Sequence, residues 1–146
     1  MRTQTNKRRK KNGFTLVELM VVIVIIGLLA TIVALNVIPS GDTARVQKAK
    51  ADIATIEQAL EMYRLQQSNY PTTAQGLAAL TSAPAGLANP AAYQAGGYIK
   101  KLPDDPWGNP YLYASPGKHG AFDVWTNGAD GKEGGEGINA DIGSWQ

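Results

Sequence analysis

The chain of 146 residues contains no cysteine. No disulfide can staple it, and thiol nucleophiles and thiolate metal sites are excluded. A periplasmic destination stays open, provided stability comes from a packed core or a bound ion. Histidine is almost as scarce. His119 is the only one, and its glycine-flanked position reads as a solvated turn. A lone turn histidine cannot supply a Ser-His-acid set, and neither a P-loop nor a dinucleotide fingerprint occurs. Asp104-Asp105 invites reading as a carboxylate pair. Consecutive residues of an extended segment point apart, however, and a loop ahead of Pro106-Trp107 uses Asp for turn hydrogen bonds. The three tryptophans, Trp107, Trp125 and Trp145, read as core or interface anchors. The chain reads as non-enzymatic.

Acidic residues are missing ahead of the chain's most apolar part. Residues 1–13 hold Arg2, Lys7, Arg8, Arg9, Lys10 and Lys11 and no acid. Removing those six from fourteen Lys and Arg leaves eight against twelve Asp and Glu, so the rest of the chain is about −4. The basic character belongs to the first residues, where it is better suited to holding that end in the cytoplasm than to nucleic acid. From Leu19 to Leu35 there is no charge, and only Gly27 and Thr31 interrupt the apolar residues. A bilayer needs about 20 such residues at about 1.5 Å each. Residues 14–38 are therefore predicted to form a membrane-spanning helix. A buried core helix is disfavoured, because the remaining chain is too short to wrap it on all sides. An ordinary removable signal fits poorly: the run is too long, and no small-x-small site ends it.

Glu18 stands near the start of that run, where a carboxylate is costly unless a positive charge or donor meets it. The segment Lys10-Lys11-Asn12-Gly13-Phe14-Thr15-Leu16-Val17-Glu18 closely resembles the class III signal of type IV pilins and pseudopilins. The resemblance implies cleavage between Gly13 and Phe14 by a prepilin peptidase, and N-methylation of Phe14. Glu18 is then expected to meet a neighbouring subunit's Phe14 amine and to align subunits in a helical fibre. Related secretion pseudopilins usually carry a proline at the position of Leu35; this chain does not.

Beyond the apolar run, Asn36, Pro39, Ser40 and Gly41 are expected to disturb the helix, and Asp42 is read as the cap of a second one over about 42–67. Val46, Ala49, Ile53, Ile56, Leu60 and Tyr63 recur in steps of three and four, an amphipathic stripe. Asn69-Tyr70-Pro71 ends that helix, and a short helix capped by Thr72 or Thr73 follows. Residues 81–97 read as loop. Three strands are expected within 98–126: Tyr98–Leu102, Pro110–Ala114 and Ala121–Thr126, paired antiparallel. Residues 127–146 form an acidic, glycine-rich end. Its composition alone leaves two readings open, a mobile loop or a calcium site, since calcium takes about six to eight oxygens from carboxylates and carbonyls. The EF-hand pattern is not met.

Tyr70-Pro71-Thr72-Thr73-Ala74-Gln75-Gly76-Leu77, Leu102-Pro103-Asp104-Asp105-Pro106-Trp107-Gly108, Gly128-Ala129-Asp130-Gly131 and Ala140-Asp141-Ile142-Gly143-Ser144-Trp145 are similar to segments of the major pseudopilins of type II secretion systems. That resemblance implies an α+β, type IV pilin-like fold: a long N-terminal helix on a small antiparallel sheet, with a calcium-binding C-terminal loop. It implies Ca2+ ligands at Asp130 and Asp141, with carbonyls of Asn127 and Lys132 and a further contribution from Asn139; Glu133 and Glu136 are as well placed facing solvent. The leader would be residues 1–13 and the periplasmic domain 39–146. The expected role is a structural subunit of a periplasmic homopolymer, a fibre that pushes folded exoproteins through an outer-membrane secretin. Its partners would be minor pseudopilins, an inner-membrane assembly platform with its ATPase, and membrane lipid before assembly, with no nucleic acid. The location would be the bacterial inner membrane, N-terminus cytoplasmic. A type IV pilus subunit for adhesion, motility or DNA uptake is the competing class; the missing cysteines count against it, since many such pilins close a C-terminal loop with a disulfide.

Overall fold

The computed structural model describes residues 12–146, without the side chains of residues 34–40. Apart from Asn12 and Gly13, the leader lies outside the described residues. The chain divides into two compact units, Met1–Ser40 and Gly41–Gln146.

One helix, α1, is assigned from Leu16 to Gln67. Two helices with a disturbance between them were expected; instead Asn36 through Gly41 lie inside one helical assignment, and Asp42 is an interior residue rather than a cap. The missing N–H of a proline removes one helical hydrogen bond, and here that loss does not end the element. Asp42 instead lies 3.4 Å from the guanidinium of Arg45.

In the first unit, the window Leu16–Val33 has a mean hydropathy of 3.0 and none of it is buried. It is long and apolar enough to cross a membrane. Thr31, one of the two interruptions between Leu19 and Leu35, donates its hydroxyl to the Gly27 carbonyl at 2.9 Å, so its polar group is satisfied within the helix.

In the second unit the predicted stripe is the core. Ala49, Ile53, Ile56, Leu60 and Tyr63 are buried, with Val46 partly so. Each fully buried Ile or Leu of this stripe contributes about 1.5–3 kcal/mol. They pack with Leu77, Ala79 and Leu80 of a short 3-10 helix and with Tyr111, Val124 and Ile142 of the sheet region. Gln67 ends the helix, and Ser68 adopts φ 67° with its N–H on the Arg64 carbonyl at 2.7 Å. The short helix after Pro71 is reduced to Leu77–Leu80. Ahead of it, Thr72 and Gln75 exchange bonds: Thr72 N–H to Gln75 Oε1 at 2.9 Å and Gln75 N–H to Thr72 Oγ1 at 3.2 Å.

The sheet has three antiparallel strands, β1 (Leu112–Ala114), β2 (Asp123–Thr126) and β3 (Ile142–Gly143), in that order. Leu112 pairs with Trp125, and Trp125 pairs with Gly143. Two of the expected strands are present in shortened form. Tyr98–Leu102 is not a strand: the N–H groups of Tyr98 and Ile99 both bond the Leu80 carbonyl. Gly97 makes that docking possible, since a Cβ there would meet the Leu80 and Thr81 carbonyl oxygens at 2.7 and 2.8 Å. The third strand comes instead from the C-terminal end, and two residues are too few to show a period-2 pattern.

Candidate functional site

Two places concentrate the polar groups whose roles were expected from the sequence. The first is the start of α1. Thr15 precedes the helix and Glu18 is three residues on. The Glu18 carboxylate accepts the Thr15 backbone N–H at 2.9 Å and its hydroxyl at 3.2 Å, while the Glu18 N–H donates to Thr15 Oγ1 at 3.2 Å. This is a reciprocal capping box, which satisfies two otherwise orphaned donors and places negative charge at the positive end of the helix. Within one chain Glu18 therefore has partners, in addition to the neighbour's amine expected for it. The T-x-x-E signal that announces this cap stood in the sequence, and Thr15 was not singled out. Phe14 is 84% exposed, and a Cβ at Gly13 would meet nothing within 4 Å. Among the described residues, nothing packs on the Gly13-Phe14 bond in a way that would hide it from a peptidase.

The second place is the C-terminal loop, which leaves β2 at Thr126 and returns into β3 at Ile142. Its neck is closed by the Ala129 N–H on the Ile138 carbonyl at 2.9 Å. Gly128 has φ 70°, and a Cβ there would lie 2.8 Å from backbone atoms of Ile138, Asn139 and Ala140; only glycine permits this approach. The closure brings Asn127, Glu133 and Asp141 to one cavity of about 500 Å³, with Trp125 and Trp145 on its wall. Asp141 Oδ2 accepts the Gly134 N–H at 2.9 Å, whereas Asp141 Oδ1 is buried and has no hydrogen-bond partner. An orphaned buried carboxylate oxygen is costly, and a cation is one group that would satisfy it.

Of the other expected ligands, Asp130 is exposed and its Oδ1 accepts the Lys132 N–H at 3.0 Å. Asn139 is half-buried, and its N–H donates to the Glu136 carbonyl at 3.1 Å. Asn127 Oδ1 is engaged by the Trp125 indole N–H at 3.1 Å, which leaves its carbonyl as the group available for an ion. Glu136 is exposed, as is Glu133 despite its place on the cavity wall. Among the described residues, no three His, Cys, Asp or Glu side chains gather around one point. A calcium site does not require that, because backbone carbonyls count as ligands. What fits such an ion in this structure is the buried, partnerless Asp141 Oδ1.

The turn between β1 and β2 differs from expectation. His119 is not a freely solvated residue: its ring stacks on Trp145 at 4.1 Å between centroids, and Nδ1 lies 3.0 Å from Asp123 Oδ2. Asp123 is buried and also accepts the Lys118 N–H at 2.7 Å. It was missed because an acid within an alternating strand looks outward-facing. The pair Asp104-Asp105 behaves as the turn reading predicts. Asp104 is exposed, while buried Asp105 accepts the N–H groups of Trp107 at 3.0 Å and Asn109 at 2.8 Å.

Comparison with known proteins follows the same division of the chain. The family described as type II secretion system (T2SS), protein G matches residues 36–145, and the prokaryotic N-terminal methylation motif matches residues 8–34. The type II secretion system core protein G of Vibrio cholerae is 56% identical over 139 residues, 95% of this chain and 94% of its own length. That of Pseudomonas aeruginosa is 52% identical, covering 95% and 98%. Among solved structures, the major pseudopilin from the type 2 secretion system of enterohaemorrhagic Escherichia coli is similar with a TM-score of 0.65 and 42% identity, over 75% of this chain and 94% of that one.

Proposed function

Because the chain belongs to the type II secretion system protein G family, and is thus a major pseudopilin rather than an enzyme, we propose that it works by polymerising into a periplasmic fibre that moves folded exoproteins toward an outer-membrane secretin. The observation that carries this is the first unit: an unburied, apolar helix with a carboxylate in its first turn. A helix apolar on all sides suits lipid before assembly and neighbouring copies afterwards. Contact of a Glu18 carboxylate with the next copy's Phe14 amine is head-to-tail, and such contacts propagate without closing.

The N-terminal methylation motif supports cleavage after Gly13 and methylation of Phe14. The basic residues before it support a cytoplasmic N-terminus and a periplasmic second unit. The partners that follow are minor pseudopilins, the inner-membrane platform with its ATPase, and the secretin. A pilus subunit for adhesion, motility or DNA uptake is disfavoured by the family match across residues 36–145.

Calcium belongs to the same proposal. Asp141 and Asp130 would supply carboxylates, with carbonyls of Asn127 and Lys132, and Asn139 as a further donor. Support comes from the partnerless buried Oδ1 of Asp141. Bound there, the ion would neutralise crowded acids and do for this loop what a disulfide does elsewhere. The functional test is complementation of a deletion strain. Wild-type chain restores an exoprotein to the medium, and retention of the exoprotein in the periplasm despite normal processing would refute the role.

A further inference from the structure

We propose that Asp105 is a positioning residue for the acidic loop, acting through Thr126 to fix the neck that brings Asn127 and Asp141 to one cavity. For its functional consequence this rests on the calcium reading above.

Asp105 divides its two carboxylate oxygens between two elements. Oδ1 takes the N–H groups of Trp107 and Asn109, which closes the turn 104–110 on itself. The backbone completes that closure, with Asp105 N–H on the Asn109 carbonyl at 2.8 Å and Gly108 N–H on the Asp105 carbonyl at 3.0 Å. Oδ2 reaches across 21 residues of sequence to accept the Thr126 hydroxyl in a short, buried bond. Both side chains lie inside the protein: Asp105 is 4% and Thr126 2% exposed. With its proton committed to Asp105, the Thr126 oxygen is left as an acceptor, and the Gly128 N–H donates to it at 3.3 Å. Asp105, Thr126 and Gly128 thus form a directed chain in which the carboxylate sets the orientation of the hydroxyl.

Gly128 is where the outgoing strand of the loop touches the returning one, and Asn127 lies between the two residues that the chain holds. The turn supplying Asp105 is itself anchored. Lys48 Nζ lies 3.4 Å from the Asp104 carbonyl, and Tyr111, just past the turn, donates its hydroxyl to Asp52 Oδ2 at 2.9 Å. The neck is therefore referenced to α1 through polar contacts, one exposed and one part-buried, and not only to its own loop.

Groups that orient metal ligands without touching the ion set affinity by about 10- to 100-fold. The test uses full-length protein in detergent, titrated with calcium chloride by calorimetry and followed by amide hydrogen exchange. Thr126→Val keeps shape and removes the hydroxyl. It is expected to weaken calcium binding by about tenfold or more and to expose the Gly128 and Ala129 amides to exchange. The Trp107 and Asn109 amides, still held by Asp105, should stay protected. Thr126→Ser should restore both, and Asp105→Asn, which retains one acceptor oxygen, should weaken binding as Thr126→Val does. Wild-type affinity with a protected Ala129 amide in Thr126→Val would overturn the positioning role while leaving the calcium site standing. Absence of calcium binding in the wild type would overturn both.

Discussion

At the scale of single residues, the capping box at the start of α1 carries a consequence for Glu18. Its carboxylate is already hydrogen-bonded to Thr15 in one chain, so a neighbour's amine would add to those bonds rather than rescue a bare charge. Removing the Glu18 carboxylate leaves the Thr15 hydroxyl capping the helix, and even loss of a whole cap costs about 0.5–2 kcal/mol, too little to prevent a long apolar segment from inserting. Glu18→Ala is therefore expected to insert and to be cleaved, with the defect confined to polymerisation. Gly13 offers the complementary case. A Cβ there meets no atom of the described residues, so Gly13→Leu should leave the fold intact and the leader attached; an assembled fibre made of Phe14-started chains from that variant, detected by mass spectrometry, would contradict this. A third residue sets an alkaline limit. Burial pushes the Tyr113 phenol up to about 12 from its ordinary 10, and its hydroxyl donates to the Pro71 carbonyl at 2.7 Å. The folded state holds that proton more tightly than the unfolded one, so the stability it confers is present below pH 10 and is lost as pH rises through about 12. Tyr113→Phe should flatten that loss in alkaline denaturation followed by circular dichroism, and an unchanged profile would count against it.

At the scale of elements, the stripe from Val46 to Tyr63 was legible because a 3.6-residue period repeated over five turns outweighs local noise. Leu60 is fully buried and Leu65 is 72% exposed. Leu60→Ala should therefore cost about 2–5 kcal/mol in urea unfolding, and Leu65→Ala about 0.5 kcal/mol or less; equal losses would contradict the assigned face. The sheet was only half legible. β1 and β2 carry alternation and turn residues between them, whereas β3 is two residues long and is recruited from the end of the chain. Tyr98–Leu102 has strand-like composition, but its backbone is claimed by the Leu80 carbonyl, a tertiary contact that no local pattern announces. The helix boundary at Pro39 was misread for a related reason: a proline disfavours helix locally, yet the assignment continues from Leu16 to Gln67. The candidate loop was legible as composition, through its acids and glycines, but not as geometry. Nothing in the order of residues 127–141 says that Asp141 would keep a buried, partnerless oxygen while Asp130 faces solvent.

At the scale of the whole molecule, function divides as the chain does. In the proposed role the first unit would supply membrane residence and polymer contacts, while the second is a folded body finished by the acidic loop. A ligand that binds only the folded state stabilises it by about 2.7 kcal/mol at 100-fold saturation. Chelation should accordingly lower the melting temperature of the purified protein, and Asp141→Ala should abolish the difference between calcium and chelator; a calcium-independent melting temperature in the wild type would remove the ion from the account. The central claim is that the chain acts by polymerising through its N-terminal segment. It is tested most directly by electron microscopy of fibres from cells carrying the complete secretion machinery and either wild-type chain or Glu18→Ala, with processing of both verified by mass spectrometry. The account predicts abundant fibres from the wild type and few or none from an equally processed Glu18→Ala chain; fibres of normal number and length from that variant would contradict it.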